Sequence, residues 1–598
     1  MMNPITATVE RLRGPETVKG GEIVARILAA EGVKHVFGII DGTYFGFYSS
    51  LDKNGIALVV PRHETSAVHA AGAYARVTGK LGVCMASNGP GVANALPGVA
   101  VEQAEGNRVL LVTSSRREGI AYPDRGGAFQ FFPAVNVIGA MAKKAIAVSG
   151  PDRIAELTRA ALRACYTGRP GVVNLEIPES LMNGSYELKA DWFRSVDSYR
   201  PTLPIPTHPE QVRAAAQLLA GAKRPLIHVG SGVVHAGAFA EVKALAAKLE
   251  AAVCTSWGGR SALDERDRHV VPMPYVAAVN RARNEADVVL VLGSRLGETD
   301  WWGKAPYWAV PDAQKIVQVD LDADSIGTNR PAEVAIQADV KSFLVDLLRM
   351  LDTMNSGDTK GRTTWVDALR KDVTDRRKAL DKHLAKDSMP MQSARVPVTC
   401  QRLFKEDAFM VIDGGNSAIW ANFFHEVRVP GTVVSTPKMG MLGAGCAQPL
   451  GIKAAYPDRQ VYCITGDGAM GFHLQEVETA VRAKLAVIWL VLCDKQWGMV
   501  KMNQQFALKP LKTLVMGSLR PDETIHADLG EIEFDVVARA MGAYGERVSD
   551  PAGLENAIKR AIASGQPAVI HVDVDPVAHM WAPNLRDFKD MHAEPAGA

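Results

Sequence analysis

The sequence predicts an α/β chain of three doubly wound domains with mainly parallel sheets. Three observations predict it. Short apolar runs rich in Val, Ile and Leu alternate with amphipathic stretches, the pattern of strand–helix–strand units. Several of the runs end in glycine-rich turns, where a strand hands over to a helix. Two breaks then divide the 598 residues, a length that calls for several domains. One is a linker with Pro201, Pro204 and Pro206, too proline-rich for a helix; the other is a charged stretch at 358–386, which reads as an exposed helical connector. The domains are expected at 18–188, 208–351 and 396–575.

In the first domain, strands are expected at 35–38, 58–60, 82–86, 109–112 and 172–177. Pro61-Arg62-His63-Glu64 precedes a predicted helix at 65–78, and the turn Ser87-Asn88-Gly89-Pro90-Gly91 follows the strand at 82–86. The second domain opens with a strand at 225–229 and the turn Gly230-Ser231-Gly232, and contains the runs 288–292 and 316–319. Gly230-Ser231-Gly232 lacks the full dinucleotide fingerprint, so nucleotide binding and plain packing both stay open there. In the third domain a strand at 409–412 leads to Asp413-Gly414-Gly415-Asn416. A strand at 461–465 delivers Gly466-Asp467-Gly468 to its carboxyl end. A helix is expected at 472–484, with Leu474, Val477 and Val481 on one face, and a strand at 486–493 then delivers Asp494 to the same edge. Two hard oxygen ligands beside a glycine-rich turn suit Mg²⁺ bound to a diphosphate.

On these motifs the chain resembles the thiamine diphosphate-dependent enzymes of the acetolactate synthase and 2-oxoacid decarboxylase group, from about Val18 to Asp575. The family motif is Gly-Asp-Gly, a helix, a strand, then usually Asn-Asn; here Cys493 and Asp494 stand at the two Asn positions. The resemblance implies metal ligands at Asp467, Asp494 and the carbonyl of Gln496, with the second carboxylate a departure that adds charge beside a diphosphate. It implies cofactor contacts at Gly415, Asn416, Gly440, Leu442, Gly466, Gly468, Ala469 and Met470. Leu442 matches the apolar wedge that bends the cofactor, and the carbonyl of Gly440 matches the acceptor for its amine. Glu64 matches the Glu that promotes the reactive tautomer of the aminopyrimidine, the one catalytic side chain the resemblance names. The domains become pyrimidine-binding, central and diphosphate-binding. The central one holds FAD in some members and an adenine nucleotide or coenzyme A in others.

The substrate is less sharply indicated. Ala128-Phe129-Gln130 is similar to a pocket segment of acetolactate synthase, whereas Lys495-Gln496-Trp497-Gly498 resembles sulfoacetaldehyde acetyltransferase. Residues 37–40 and 325–331 are similar to the 2-hydroxyacyl-CoA lyase branch, with benzaldehyde lyase a further neighbour. Pocket candidates are Asp41, Thr43, Tyr44, Asn88, Gln130, His473 and Trp497; Tyr44 and Trp497 read equally as packing aromatics, and His473 as a helix cap. The implied activity is a thiamine diphosphate- and Mg²⁺-dependent carbon–carbon lyase or carboligase acting on a 2-oxo acid or 2-hydroxy ketone, its small-molecule partner being a 2-oxo acid, aldehyde or acyl substrate. A catalytically silent cofactor-binding protein would have no use for Glu64. The family's two cofactor domains come from different subunits, which implies a homodimer or homotetramer with sites at the subunit interface.

Composition agrees with this picture. A net charge of +2 gives no electrostatic case for nucleic acid or an anionic membrane. Residues 1–19 lack an apolar signal core, and no run is long enough to span a bilayer. The seven Cys form no Cys-x-x-Cys motif and read as reduced core thiols of a cytoplasmic protein.

Overall fold

The computed structural model describes residues 16–120, 125–354, 359–385 and 388–583; most of the segment read for a signal core lies outside them. The chain forms two units, one ending at Thr202 and one beginning at Leu203. The first holds one six-stranded parallel sheet, with a short antiparallel pair beside it, and the second holds two more six-stranded parallel sheets. Their central strands are buried end to end and mostly apolar, as in Val109–Ser115, Val288–Leu292 and Val487–Cys493. Strands covered by helices on both faces have no polar side to present.

The sheet of the first unit runs in the order Ala57–Val59, His35–Gly38, Gly82–Ala86, Val109–Ser115, Val172–Pro178, Lys144–Ala147. Counted within the sheet this is 2-1-3-4-6-5, and the last sheet of the chain has the same order, built from Val433–Val434, Phe409–Ile412, Val461–Gly466, Val487–Cys493, Ala568–Asp573 and Tyr544–Val548. The middle sheet runs 3-2-1-4-5-6. In each, the order reverses beside the first strand, and ligands of open parallel sheets bind at that crevice, beyond the carboxyl ends of the strands. In the first and last sheets it lies between strands one and three. The turns there are 39–41 and Ser87-Asn88 in one, and Asp413-Gly414-Gly415 and Asp467-Gly468 in the other.

Two expectations need correction. The helix expected at 472–484 is two helices, Asp467–His473 and Glu476–Arg482, so the glycine turn is itself the first helical turn. Its two short segments each bury a few residues, which a single periodic face over thirteen positions did not anticipate. The charged stretch is also no exposed connector. Helix Thr359–Leu380 buries Trp365, Val366, Leu369, Val373 and Leu380 in one core with Trp301 and Val279 of the central domain and Trp420 of the third. Its many charges lie on the opposite face, and they masked the apolar stripe in the composition.

Candidate active site

The two predicted metal-binding carboxylates do emerge side by side, on adjacent parallel strands in which Gly466 pairs with Leu492. Asp467 accepts hydrogen bonds from its neighbour Gly468 N–H at 2.7 Å and from Lys495 N–H at 2.7 Å, so one carboxylate ties both turns together. The second bond requires Lys495 to take a left-handed backbone, φ +58°. Asp494 is buried and accepts from Gln496 Nε2 at 3.0 Å, and the same amide donates to the carbonyl of Pro576 at 2.7 Å. The side chain of Gln496 thus orients Asp494, a role that reading only its carbonyl as a ligand did not include.

Burial pushes the Asp467 carboxyl up to about 6, and the charge of Asp494 adds to the shift. Burial likewise raises Asp494, to about 7, against the opposing effect of the Gln496 bonds. Lys501 and His579 oppose these shifts but do not cancel them, and Lys501 is itself paired with Asp528 at 2.6 Å. Beside them lies Asn416, whose side-chain oxygen and nitrogen are both buried and, among the described residues, without a hydrogen-bond partner. Gly498 fits against it closely: a Cβ there would stand 2.5 Å from Asn416 Nδ2 and 3.4 Å from Asp494 Oδ2.

Asp413 organises the loop that carries Gly440 and Leu442. Its Oδ2 accepts from Gly443 N–H at 3.0 Å and Gly445 N–H at 2.9 Å, and its Oδ1 from Gly414 N–H at 2.6 Å. Gly443 has φ +91°, and a Cβ on it would strike Phe472 at 2.5 Å, so the loop packs directly on the end of helix Asp467–His473. Leu442 is half-buried and Gly440 exposed at this loop. His473 is the last residue of that helix, within 3.4 Å of Gln475 Nε2. Ala469 and Met470 point into the core, leaving only their backbone for a ligand. Trp497 forms a wall over the glycine turn, since a Cβ on Gly468 would stand 2.6 Å from its ring. The nearest side chain to Gly415 is Met499, which an added Cβ would meet at 3.1 Å.

In the first unit, Glu64 is the first residue of helix Glu64–Thr78, and the ring of the capping residue His63 accepts from Thr65 N–H at 3.2 Å. Glu64 is nearly buried and accepts from Asn94 Nδ2 at 3.2 Å. Gly91 approaches closely enough that a Cβ there would lie 3.3 Å from Glu64 Oε1. The pocket candidates Asp41, Thr43, Asn88 and Gln130 form one hydrogen-bonded chain. Asp41 accepts from Thr43 Oγ1 at 2.6 Å, Thr43 Oγ1 lies 2.6 Å from Ser114 Oγ, Ser114 Oγ accepts from Asn88 N–H at 2.9 Å, and Asn88 Nδ2 donates to the Gln130 carbonyl at 3.2 Å. Ser114 and Asn94 are the residues that sequence reasoning missed; neither lies in a motif, and only the folded strand and helix bring them to these partners. Tyr44 is not in this chain: its ring is buried in the domain core and its hydroxyl donates to the carbonyl of Ile39.

The turn Gly230-Ser231-Gly232 is explained by packing. Gly230 N–H donates to Leu292 at 2.8 Å and Gly232 N–H to Gly293 at 3.1 Å, and a Cβ on Gly230 would stand 2.1 Å from the Gly293 carbonyl. Those amides are therefore committed to the neighbouring loop rather than free for a pyrophosphate.

Comparison with known proteins decides the family. Residues 18–132 match the family described as thiamine pyrophosphate enzyme, N-terminal TPP binding domain; residues 212–347 match the central domain and residues 413–572 the C-terminal TPP binding domain. The chain is 30% identical to a probable acetolactate synthase large subunit of Methanocaldococcus jannaschii, over 94% of this chain and 92% of that one. The chain belongs to the acetolactate synthase family of thiamine pyrophosphate-dependent enzymes. It is also 28% identical to the acetolactate synthase isozyme 3 large subunit of Escherichia coli, over 96% and 97% of the two chains, and 29% identical to the acetolactate synthase of Mycobacterium leprae, over 97% and 90%. As a member of that family it is a thiamine diphosphate-dependent carboligase acting on small molecules. Among the described residues no helix is long and apolar enough to cross a membrane.

Proposed function

We propose that this carboligase acts on a 2-oxo acid or 2-hydroxy ketone as an acetolactate synthase does, with Glu64 at one end of its cofactor and the Asp467–Asp494 pair at the other. The observation that carries the reading is the buried Asp494 and the half-buried Asp467 on adjacent strands, with an Asn416 amide beside them that among the described residues has no hydrogen-bond partner; Asn416 and Asp467 follow the two strands between which the order reverses. That set fits a divalent cation bound to a diphosphate. The cation would balance the two carboxylates, whose raised values show that the nearby cations do not, and Asn416 would supply a donor to phosphate oxygen. Asp467, Asp494 and the carbonyl of Gln496 would hold Mg²⁺. Gly466, Gly468, Gly415 and the backbone of Ala469 and Met470 would line the diphosphate. Leu442 would wedge the rings and the Gly440 carbonyl would accept from the cofactor amine.

When bound, thiamine diphosphate supplies a carbon nucleophile and then holds the electron pair released from the substrate. Glu64 would exchange a proton with the cofactor's pyrimidine nitrogen, oriented for it by Asn94. Asp41, Thr43, Asn88 and Gln130 would orient the substrate as a linked set, with Trp497 and His473 bounding the metal side. We take the working domains as 18–188, 208–351 and 396–575, since each of the three sheets falls within one of them. The site would form at a subunit interface, Glu64 of one subunit serving the same cofactor as Asp467 of the partner subunit. A cytoplasmic setting is supported by the seven cysteines, all free and buried.

The test is a panel of 2-oxo acids, acyloins and acyl donors, incubated with protein, thiamine diphosphate and Mg²⁺ and read by mass spectrometry. Formation of a 2-hydroxy-2-methyl-3-oxo acid from pyruvate supports the reading. Turnover of only a sulfonated aldehyde or an acyl-CoA would overturn the substrate assignment while leaving the cofactor chemistry.

A further inference from the structure

The second unit contains a cavity of about 670 Å3, lined in part by the C-terminal end of helix Asn416–Phe424, whose first residue Asn416 lies in the candidate active site; none of its lining residues belongs to that site. Four parts of the chain wall it: the segment from Arg260 to Tyr275 of the central domain, helix Thr359–Leu380 with the residues just after it to Leu384, helix Arg395–Leu403, and the stretch of the third domain from Asn422 to Arg428. Its size is that of pockets that take organic ligands.

The lining is unbalanced in charge. Five arginines, Arg260, Arg370, Arg377, Arg402 and Arg428, face three carboxylates, Glu265, Asp381 and Glu426, a formal excess of two positive charges. Arg260 is a satisfied floor. It is buried, holds Glu265 at 2.8 and 3.1 Å, and donates to the His425 carbonyl at 2.8 Å. Arg402 is paired at the rim with Glu555. The remaining three cations are under-supplied with anions. Arg377 and Arg428 share the single carboxylate of Glu426, with Arg428 at 3.6 Å from it. Arg370 donates to the backbone carbonyl of Glu265 at 3.1 Å and, among the described residues, meets no carboxylate. Arg428 Nε and His425 Nδ1 are buried and, among the described residues, make no hydrogen bond. Buried polar atoms of this kind are costly unless a ligand meets them. The other wall is apolar, with the rings of Tyr275, Phe423 and Phe424 almost wholly buried behind it.

We propose that this cavity binds an organic phosphate with a flat apolar body, the phosphate held by Arg370, Arg428 and His425 and the body against Tyr275, Phe423 and Phe424. Arginine forks match phosphate oxygens, and an excess of cations excludes a metal ion. Such a ligand would bridge the central domain, the long helix and the third domain, so it would act on the stability of the unit that carries Asp467. This proposal does not rest on the assignment of substrate or of Glu64.

The test uses the full chain saturated with thiamine diphosphate and Mg²⁺, titrated with 1-naphthyl phosphate, 1-naphthol and inorganic phosphate in parallel, by calorimetry and by thermal unfolding. 1-Naphthyl phosphate should bind at least about tenfold more tightly than either fragment and raise the unfolding temperature. Arg428→Gln and Arg370→Gln should each weaken it by about tenfold or more, whereas Arg402→Gln should change it little. Rising salt should weaken the wild-type interaction as well, a readout that needs no variant. Equal binding of 1-naphthol, binding indifferent to salt and to both arginine variants, or complete displacement by further thiamine diphosphate would each overturn the proposal.

Discussion

At the scale of single residues, the site turns on two carboxylates held out of bulk water. Asp467 and Asp494 are held above the ordinary carboxylate range, to about 6 and about 7, by burial first. The sign of the consequence is fixed. A carboxyl whose folded value is raised contributes stability that is full below its ordinary value of 3.8 and is lost as pH climbs through the folded value. Metal-free protein should therefore lose stability between about pH 4 and pH 8, and metal affinity should rise over the upper part of that range. Asp494→Asn leaves an oxygen ligand and removes one charge. It should stay active with Mg²⁺ and flatten the pH dependence of the metal-free unfolding temperature. An unchanged pH profile, or complete loss of metal in this variant, would contradict the ligand assignment. Glu64→Gln keeps the shape of the residue but not its proton. It should slow turnover by about 10² to 10⁴-fold with unfolding temperature unchanged. Exchange of the thiazolium proton of bound cofactor, followed by NMR, should slow in parallel; normal exchange in this variant would remove Glu64 from the relay.

At the scale of elements, strands were the legible part. Runs such as 35–38, 82–86, 225–229, 288–292 and 409–412 fold as strands with the same bounds, because a strand buried on both faces is apolar at nearly every position. Helices were less legible. The charges of Thr359–Leu380 hid a stripe that joins two domain cores, and the helix at the glycine turn begins five residues before its expected start at 472. The candidate site divides in the same way. Asp467 and Asp494 sit at strand ends and could be placed from spacing alone. Asn94, Ser114 and the side-chain role of Gln496 depend on contacts between elements, for which a single sequence carries no local signal. The long helix gives a direct check. Leu369→Ala should cost about 2–5 kcal/mol, as a buried Leu does, measured by denaturant unfolding. A cost below about 0.5 kcal/mol would restore the exposed-connector reading.

At the scale of the molecule, the first and last sheets share one strand order, and each presents half of the proposed machinery at the same structural position, the crevice where that order reverses. Glu64 lies in the first unit and Asp467 in the second, each on a turn or helix start beside such a crevice. The central claim is that both serve one cofactor, contributed by two chains. The most direct measurement is activity of a hybrid made by co-expressing a Glu64→Gln chain with an Asp467→Ala chain, each inactive alone. If the two residues come from different subunits, one of the two sites in the hybrid keeps both, and purified hybrid should regain up to about half the wild-type rate per dimer. Hybrid that demonstrably assembles yet stays inactive would contradict the account.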